Sequence, residues 1–503
     1  MDTSASSTSD LAALRGSLQG DVVLPGDPRY DVAKQLADVQ FDAVRPRAIV
    51  FCETTPDVQA VIRFARDRGV PVAVRSGGHS TAGYSTTPGI ILDVSRFNTV
   101  TAGSTTVKMG PGVQAVDAVN SLAPLGLATP NGFCPTVSAG GFYTGGGFGL
   151  LTRAAGMGSD RLVSAEVVLA SGKVVRASEH QEPDLFWALR GGGGGNFGVI
   201  TSYEIKPVRI SRAVNFSLVW SWDSAADVVA GWQRWAPTVP DGLTSWMGIF
   251  LPDASPGQVA QVVVFGLWQG SVADLDPHLT RLKNAVPSPA LAVAVDELAY
   301  QEAMMRWWFC GGLTVDQCHR SGFHGGVLPR TPNQTLRGRF FKDPLPRKGI
   351  DEYLAAFDAD RRPGQSRTSL SAAFGGAVNR VRRTDTAFVH RTSAYHLDYT
   401  VAVTAPTPTD QDRAAARTWA NNGFRTIDRY SLGESYQNYT DPQLGDFRRA
   451  YYAENYPRLL RVKQAYDPRN FFRFDQSVGR RPNSSSTELE TAEDVQEFVG
   501  RGR

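Results

Sequence analysis

Cysteine is scarce, with 4 in 503 residues, too few for a disulfide-framework fold and without the C-x-x-C pairs of a zinc site. Long apolar runs are missing as well. No stretch of about 18 apolar residues occurs, which excludes a transmembrane helix. Charge of one sign is also lacking: 52 Lys+Arg against 49 Asp+Glu leave a net charge of +3, and no basic tract points to nucleic acid or an anionic membrane. The Ser/Thr-rich, acidic start has neither a basic n-region nor an apolar h-region, so a cytoplasmic protein is expected. No repeat at a solenoid period occurs. No G-x-x-x-x-G-K-S/T run is present either, which excludes an ATP or GTP P-loop.

What the chain has in excess is glycine, 50 residues, about a third of them in three clusters. The first is Ser76-Gly77-Gly78-His79-Ser80 with Gly83, the second Gly140-Gly141 with Gly145-Gly146-Gly147 and Gly149, the third Gly191 to Gly195 with Gly198. Glycine lets backbone N–H groups approach an anion closely, so a strand running into a glycine loop is a natural phosphate cradle. A single cluster is more commonly a tight turn, whereas three within one region point to a large cofactor. Residues 193–198 match G-x-G-x-x-G, but the following Val199 to Ile205 reads as a strand where a dinucleotide fingerprint needs a helix, so NAD is unsupported.

Periodicity outlines the rest. Thr55-Pro56-Asp57 supplies a helix start, and Val58, Val61, Ile62 and Ala65 give an apolar stripe that Gly69 ends. Strands are expected at 71–75 and 89–94, and a hairpin over 165–177 turning at Ser171-Gly172. From about Val208 the pattern changes to long alternating strands (215–222, 258–268, 395–404) and amphipathic helices such as 350–358, as in a second α+β domain with an antiparallel sheet. Residues 481–503 read as a polar tail with one short helix.

Four segments carry a resemblance: residues 75–85 (RSGGHSTAGYS), 131–147 (NGFCPTVSAGGFYTGGG), 184–199 (DLFWALRGGGGGNFGV), and the C-terminal set 436–441 (YQNYTD), 451–456 (YYAENY), 466–470 (YDPRN) and 474–477 (FDQS). In this order they resemble the berberine-bridge-enzyme-like branch of the vanillyl-alcohol-oxidase, or PCMH-type, flavoprotein superfamily. The resemblance implies an α+β two-domain fold. Its parts would be an N-terminal segment (1–19), an FAD-binding domain (20–207) completed by residues 430–480, a substrate-binding domain (208–429), and the tail (481–503). It further implies FAD attached twice, through His79 to the 8α-methyl carbon and through the Cys134 sulfur to C6. Arg75, Ser76, Gly77, Gly78, Ser80, Gly83, Val137, Gly140, Gly141, Gly145, Gly147, Gly198 and Ile200 would surround the cofactor, and Asn438 would contact the flavin or hold its loop.

Oxidation of an alcohol on a flavin needs a base for the hydroxyl proton and a C–H bond held near N5. By the resemblance Tyr436 is the base, with Tyr439 the alternative. An unperturbed tyrosine titrates near 10, so neighbours would have to lower Tyr436. On the strand at 395–399, alternation puts Tyr395, Leu397 and Tyr399 on one face and His396 and Asp398 on the other. The polar pair either faces substrate or tunes Tyr436, as relatives suggest after a segment like 387–391 (AFVHR), or lies in water on a half-exposed strand. Phe142 and Phe148 depart from the plant pattern, so plant substrates are not implied. Val137 matches the small residue that admits O2 in relatives and implies an oxidase. Cys310, Cys318, His319 and His324 lack a metal-ligand spacing; a Cys310–Cys318 disulfide is geometrically possible, but a cytoplasmic setting argues for thiols. Cys52 reads as core. No metal is expected.

The expected function is a bicovalent FAD oxidase that converts a secondary hydroxyl of a bulky natural product or sugar to a carbonyl and releases hydrogen peroxide. Alternatives are oxidative cyclisation or desaturation of a secondary metabolite, and a flavoprotein that sequesters a drug-like molecule. The expected partners are a small-molecule substrate and O2, with no nucleic acid and no membrane, for a monomer or homodimer.

Overall fold

In the computed structural model, residues 3–322, 325–480 and 490 are described. His324 and, apart from Glu490, the tail 481–503 lie outside the described residues. The apolar stripe of the first long helix, Thr55–Asp67, is buried as its spacing predicts. Its cap is Thr54, one residue before the expected start: Thr54 Oγ1 accepts from the Asp57 N–H, and Asp57 accepts in return from the Thr54 N–H. The stripe packs with Val50, Ile90 and Leu92 in one core. Each such side chain, fully buried, contributes about 1.5–3 kcal/mol. Beneath the helix, Asp21–Val23, Ala48–Phe51, Ile90–Asp93 and Val72–Arg75 lie side by side in that order, the last three parallel. Helix Thr55–Asp67 therefore belongs to a parallel crossover that delivers the chain, at Arg75, into the first glycine loop.

A second sheet is antiparallel throughout, in the order Val100–Ala102, Val107–Met109, Val199–Ile205, Leu162–Val168, Val174–Ser178. The expected hairpin turns at Gly172, whose φ is +85°. Residues of this sheet share a core with Tyr451, Tyr452, Tyr456, Leu459 and Leu460, so the chain after residue 430 returns to pack on its first half.

The chain between these parts, in sequence, forms a seven-stranded antiparallel sheet, ordered Ala292–Ala299, Arg212–Ser221, Gln261–Trp268, Leu243–Leu251, Gln365–Ala373, Tyr395–Val403, Gln334–Phe341. The fold is α+β, of the flavoprotein type that the four segments imply. Helices Ala225–Trp235, Val272–Asn284, Arg347–Asp358 and Asp410–Asp428 cover one face of this sheet. Tyr395, Leu397, Tyr399, Val401 and Val403 point into that helical core, as alternation predicts. The opposite face packs Trp246, Phe340 and Ala372 against Phe148, Leu150 and Tyr436. Buried Arg153 spans the junction, donating to the carbonyls of Leu243 (3.1 Å), Val239 (2.8 Å) and Phe374.

One expectation is corrected here. Cys310 and Cys318 form a disulfide, with Cα atoms 5.8 Å apart, rather than standing as thiols. Phe309, at φ +58°, turns the chain back after helix Tyr300–Trp307, and that turn brings the two cysteines within bonding range. Cys52 is buried, as read. Among the described residues no helix is long and apolar enough to cross a membrane.

Candidate active site

The three glycine loops open onto one cavity of about 970 Å³ between the large sheet and the first half of the chain. This is at the upper end of the range for small-molecule and cofactor sites. Two loops interlock closely enough to demand glycine. A Cβ on Gly77 would come within 2.7 Å of Ser138 Oγ, and one on Gly140 within 2.8 Å of Ser76 Oγ. Ser76, Gly77, Gly78, His79 and Ser80 line the cavity from the first loop, Cys134, Val137, Gly140 and Gly141 from the second, and Gly198 and Ile200 from the third. Asp398 reaches the wall from the large sheet, and Tyr436, Asn438 and Tyr439 from the C-terminal part.

Other sites named from the sequence stand behind this wall. Arg75 is buried in an ion pair with Asp93 that anchors the first loop. Gly83 backs onto the Phe41 ring, and Gly145 onto the Asn438 side chain, where a Cβ would collide at 1.9 Å. The Gly147 N–H donates to Tyr436 Oη at 2.8 Å. His396 is buried behind Tyr439, ring centroids 5.6 Å apart.

His79 and Cys134 face the same space. His79 Nε2 lies 2.9 Å from Thr136 Oγ1. Desolvation, helped by the Arg320 cation, pushes its pKa down to about 4, so the imidazole is neutral and keeps a nucleophilic nitrogen. Burial pushes the Cys134 thiol up to about 11, leaving it protonated at neutral pH.

Tyr436 Oη accepts two hydrogen bonds, from the Gly147 N–H and from Asn438 Nδ2 at 3.0 Å. Both favour a phenolate, but burial outweighs them and the net direction is upward. The expected lowering of Tyr436 therefore does not arise from the protein's own groups. Asp398 behaves differently. Burial raises its carboxyl to about 7, even though Oδ1 accepts from the Leu370 N–H (3.3 Å) and Thr400 Oγ1 (3.1 Å). Its Oδ2 is 3.9 Å from His396 Nδ1. Desolvation pushes His396 down to about 3, and its Nε2 is buried without a partner. Neither side chain lies in water, so the half-exposed reading of this strand is set aside.

Sequence reasoning passed over a buried chain beside Tyr436. His390 stands between Glu434 Oε2 (2.8 Å) and Gln437 Oε1 (3.2 Å), and Gln437 Nε2 donates to the Gly191 carbonyl at 2.6 Å. Gln437 sits inside the Y-x-N-Y segment and His390 inside 387–391, so the letters were visible, but nothing in either segment shows that the two meet. Also unforeseen, Tyr84 packs on Phe474 with centroids 4.6 Å apart, both on the cavity wall.

These residues fit the dinucleotide flavin that the sequence implies. Glycine loops with open backbone face one end of a cavity of adequate volume, and aromatic and apolar side chains line it. Among the described residues no group of three or more His, Cys, Asp and Glu side chains could hold a metal ion.

Comparison with known proteins agrees. A family described as "FAD binding domain" matches residues 46–178, and one described as "Berberine and berberine like" matches residues 435–479. The chain is 32% identical to the uncharacterized FAD-linked oxidoreductase YgaK of Bacillus subtilis (strain 168), over 92% of this chain and 97% of that one. It is 29% identical to berberine bridge enzyme-like 12 of Arabidopsis thaliana, covering 87% and 85% of the two chains. The solved structure of Physcomitrella patens BBE-like 1 superposes with a TM-score of 0.83 at 24% identity, over 93% of this chain and 98% of that one.

Proposed function

The chain belongs to the berberine-bridge-enzyme-like FAD-linked oxidoreductases, and from that premise we propose that it is an oxidase with doubly attached FAD, acting on the hydroxyl of a bulky small molecule. The domain limits read from the sequence are part of this proposal. When bound, FAD would accept the hydride leaving the carbinol carbon and pass two electrons to O2, giving hydrogen peroxide. Everything else falls to the chain. His79, as a neutral imidazole, and Cys134 would hold the ring from two loops, and Val137 would leave room for O2.

The observation that carries the reading is the Tyr436 oxygen, held on the cavity wall by two N–H donors. With both N–H donors on its oxygen and its own proton retained, Tyr436 keeps one O–H to donate to the substrate oxygen, which fixes the hydroxyl in place. Asp398 faces the same cavity and is half-ionised near neutrality, the range in which a carboxylate is an effective proton acceptor. We assign Tyr436 the contact that orients the hydroxyl and Asp398 the proton-accepting role. Tyr439 and His396 fix the aromatic wall behind them.

The test is Tyr436→Phe. It should retain acid-stable yellow flavin and a normal melting curve while kcat falls by about 10²–10⁴. Undiminished turnover in that variant would retire Tyr436 from the chemistry.

A further inference from the structure

Phe309 is the most exposed large apolar side chain among the described residues, at 78%. It is also one of six non-glycine residues with positive φ among those described, at +58°. Bulky residues rarely adopt this conformation, and they keep it where the surroundings force them to. The surroundings here are specific. Trp308 Nε1 donates to the Gly132 carbonyl at 3.1 Å, and Trp307 stands edge-on to Phe133 at 5.6 Å, so both tryptophans grip the loop that carries Cys134. On the other side Cys310 is buried and tied to Cys318, and the neighbouring His319 Nε2 pairs with Asp117 at 3.2 Å. With its neighbours pinned inward, Phe309 alone turns outward, and its side chain lines the cavity.

A row of uncharged side chains on the large sheet lines the same cavity. Phe250, Thr368, Thr400 and Leu336 are successive cross-strand partners in one row across the large sheet, and all four line the cavity. Phe250 is 6.1 Å from Phe265, which stacks on Trp307 at 5.1 Å, so the row and the Phe309 turn belong to one aromatic assembly. No Lys or Arg of the large sheet lines the cavity among the described residues, which disfavours an anionic group there.

We propose that Phe309 is a specificity-determining rim residue, closing with the Phe250–Leu336 row over an uncharged aromatic portion of the substrate. The disulfide and the two tryptophans hold its backbone in position, so the ring is preorganised rather than recruited. Burying an exposed phenyl ring against a flat apolar ligand removes water from both surfaces, which gives the side chain a reason to stand where folding alone would not place it. The proposal rests on the cavity being the substrate site.

The test uses the flavin-loaded enzyme and the aryl ketone acetonaphthone, which cannot be oxidised as an alcohol, followed by perturbation of the bound flavin's absorbance. Binding is thus read without turnover, and failure of the alcohol-oxidase reading is kept apart from failure of this one. Phe309→Gly should weaken acetonaphthone binding about tenfold, while the melting temperature holds or rises because glycine relieves the positive φ. Phe309→Leu should fall between the two. Lactose, a polar probe of similar bulk, should bind more weakly than acetonaphthone to the wild type and be unaffected by either change. Wild-type binding that favours lactose, no detectable binding of acetonaphthone, or equal acetonaphthone affinity in all three proteins would overturn the proposal.

Discussion

Replacing Asp398 by Asn should make the protein more stable above neutral pH and less dependent on pH. The carboxyl is 2% exposed and burial raises it from an ordinary 3.8 to about 7. Below the lower value it is protonated whether the chain is folded or not, and it costs nothing. Between the two values the unfolded chain ionises while the folded one stays protonated, so stability falls as pH rises, and above about 7 the whole cost is present. A displacement of that size corresponds to about 4 kcal/mol. Asn at this position can still accept from the Leu370 N–H and Thr400 Oγ1, the contacts Asp398 makes at 3.3 and 3.1 Å. The variant therefore loses the ionisation without losing those contacts. If the chain unfolds as one cooperative unit, with about 2.1 cal/mol/K of unfolding entropy per residue, the gain near pH 8 is about 4 °C in melting temperature. The assay is a series of melting curves from about pH 3 to 8 on both proteins. The two should converge at the acid end and separate toward neutrality, with the variant higher. Parallel curves across the range would refute the buried, proton-binding carboxyl, and with it the role of Asp398 as a proton acceptor.

Three further outcomes follow from the same geometry. His79→Ala and Cys134→Ala should each leave yellow colour in the acid-precipitated protein, because the other attachment survives, and the double variant should lose it; colour lost in either single variant would show one attachment rather than two. Val137→Leu narrows the wall beside Cys134 and should slow reoxidation of the reduced enzyme by O2 by about tenfold or more, measured by stopped flow, with little change in anaerobic bleaching; equal reoxidation rates would remove Val137 as the oxygen passage. Arg153→Met strands the buried carbonyls of Leu243, Val239 and Phe374 and should cost more than about 3 kcal/mol in urea unfolding; an unchanged midpoint would show that the junction does not depend on this side chain.

Local rules made part of this protein legible in its letters. Hydrophobic spacing gave the stripe of Thr55–Asp67 and the two faces of Tyr395–Val403, because helix and strand periods are backbone properties. The glycine loops were visible because close backbone approach restricts the residue type, and His79 and Cys134 because they sit in the segments that carry the family resemblance. Charge states were not legible. Asp398 near 7, His396 near 3 and an upward-shifted Tyr436 follow from burial in the packed structure, which for Tyr436 outweighs the opposing hydrogen bond from Gly147, far away in sequence. The Cys310–Cys318 bond escaped a compartment argument because the turn at Phe309 decides which sulfurs meet. Likewise His390, Glu434 and Gln437 form one buried chain only after the C-terminal segment folds back across the large sheet. The sequence by itself determined which chemistries were present; their protonation, pairing and direction waited on desolvation and proximity, which only the packed tertiary structure supplies.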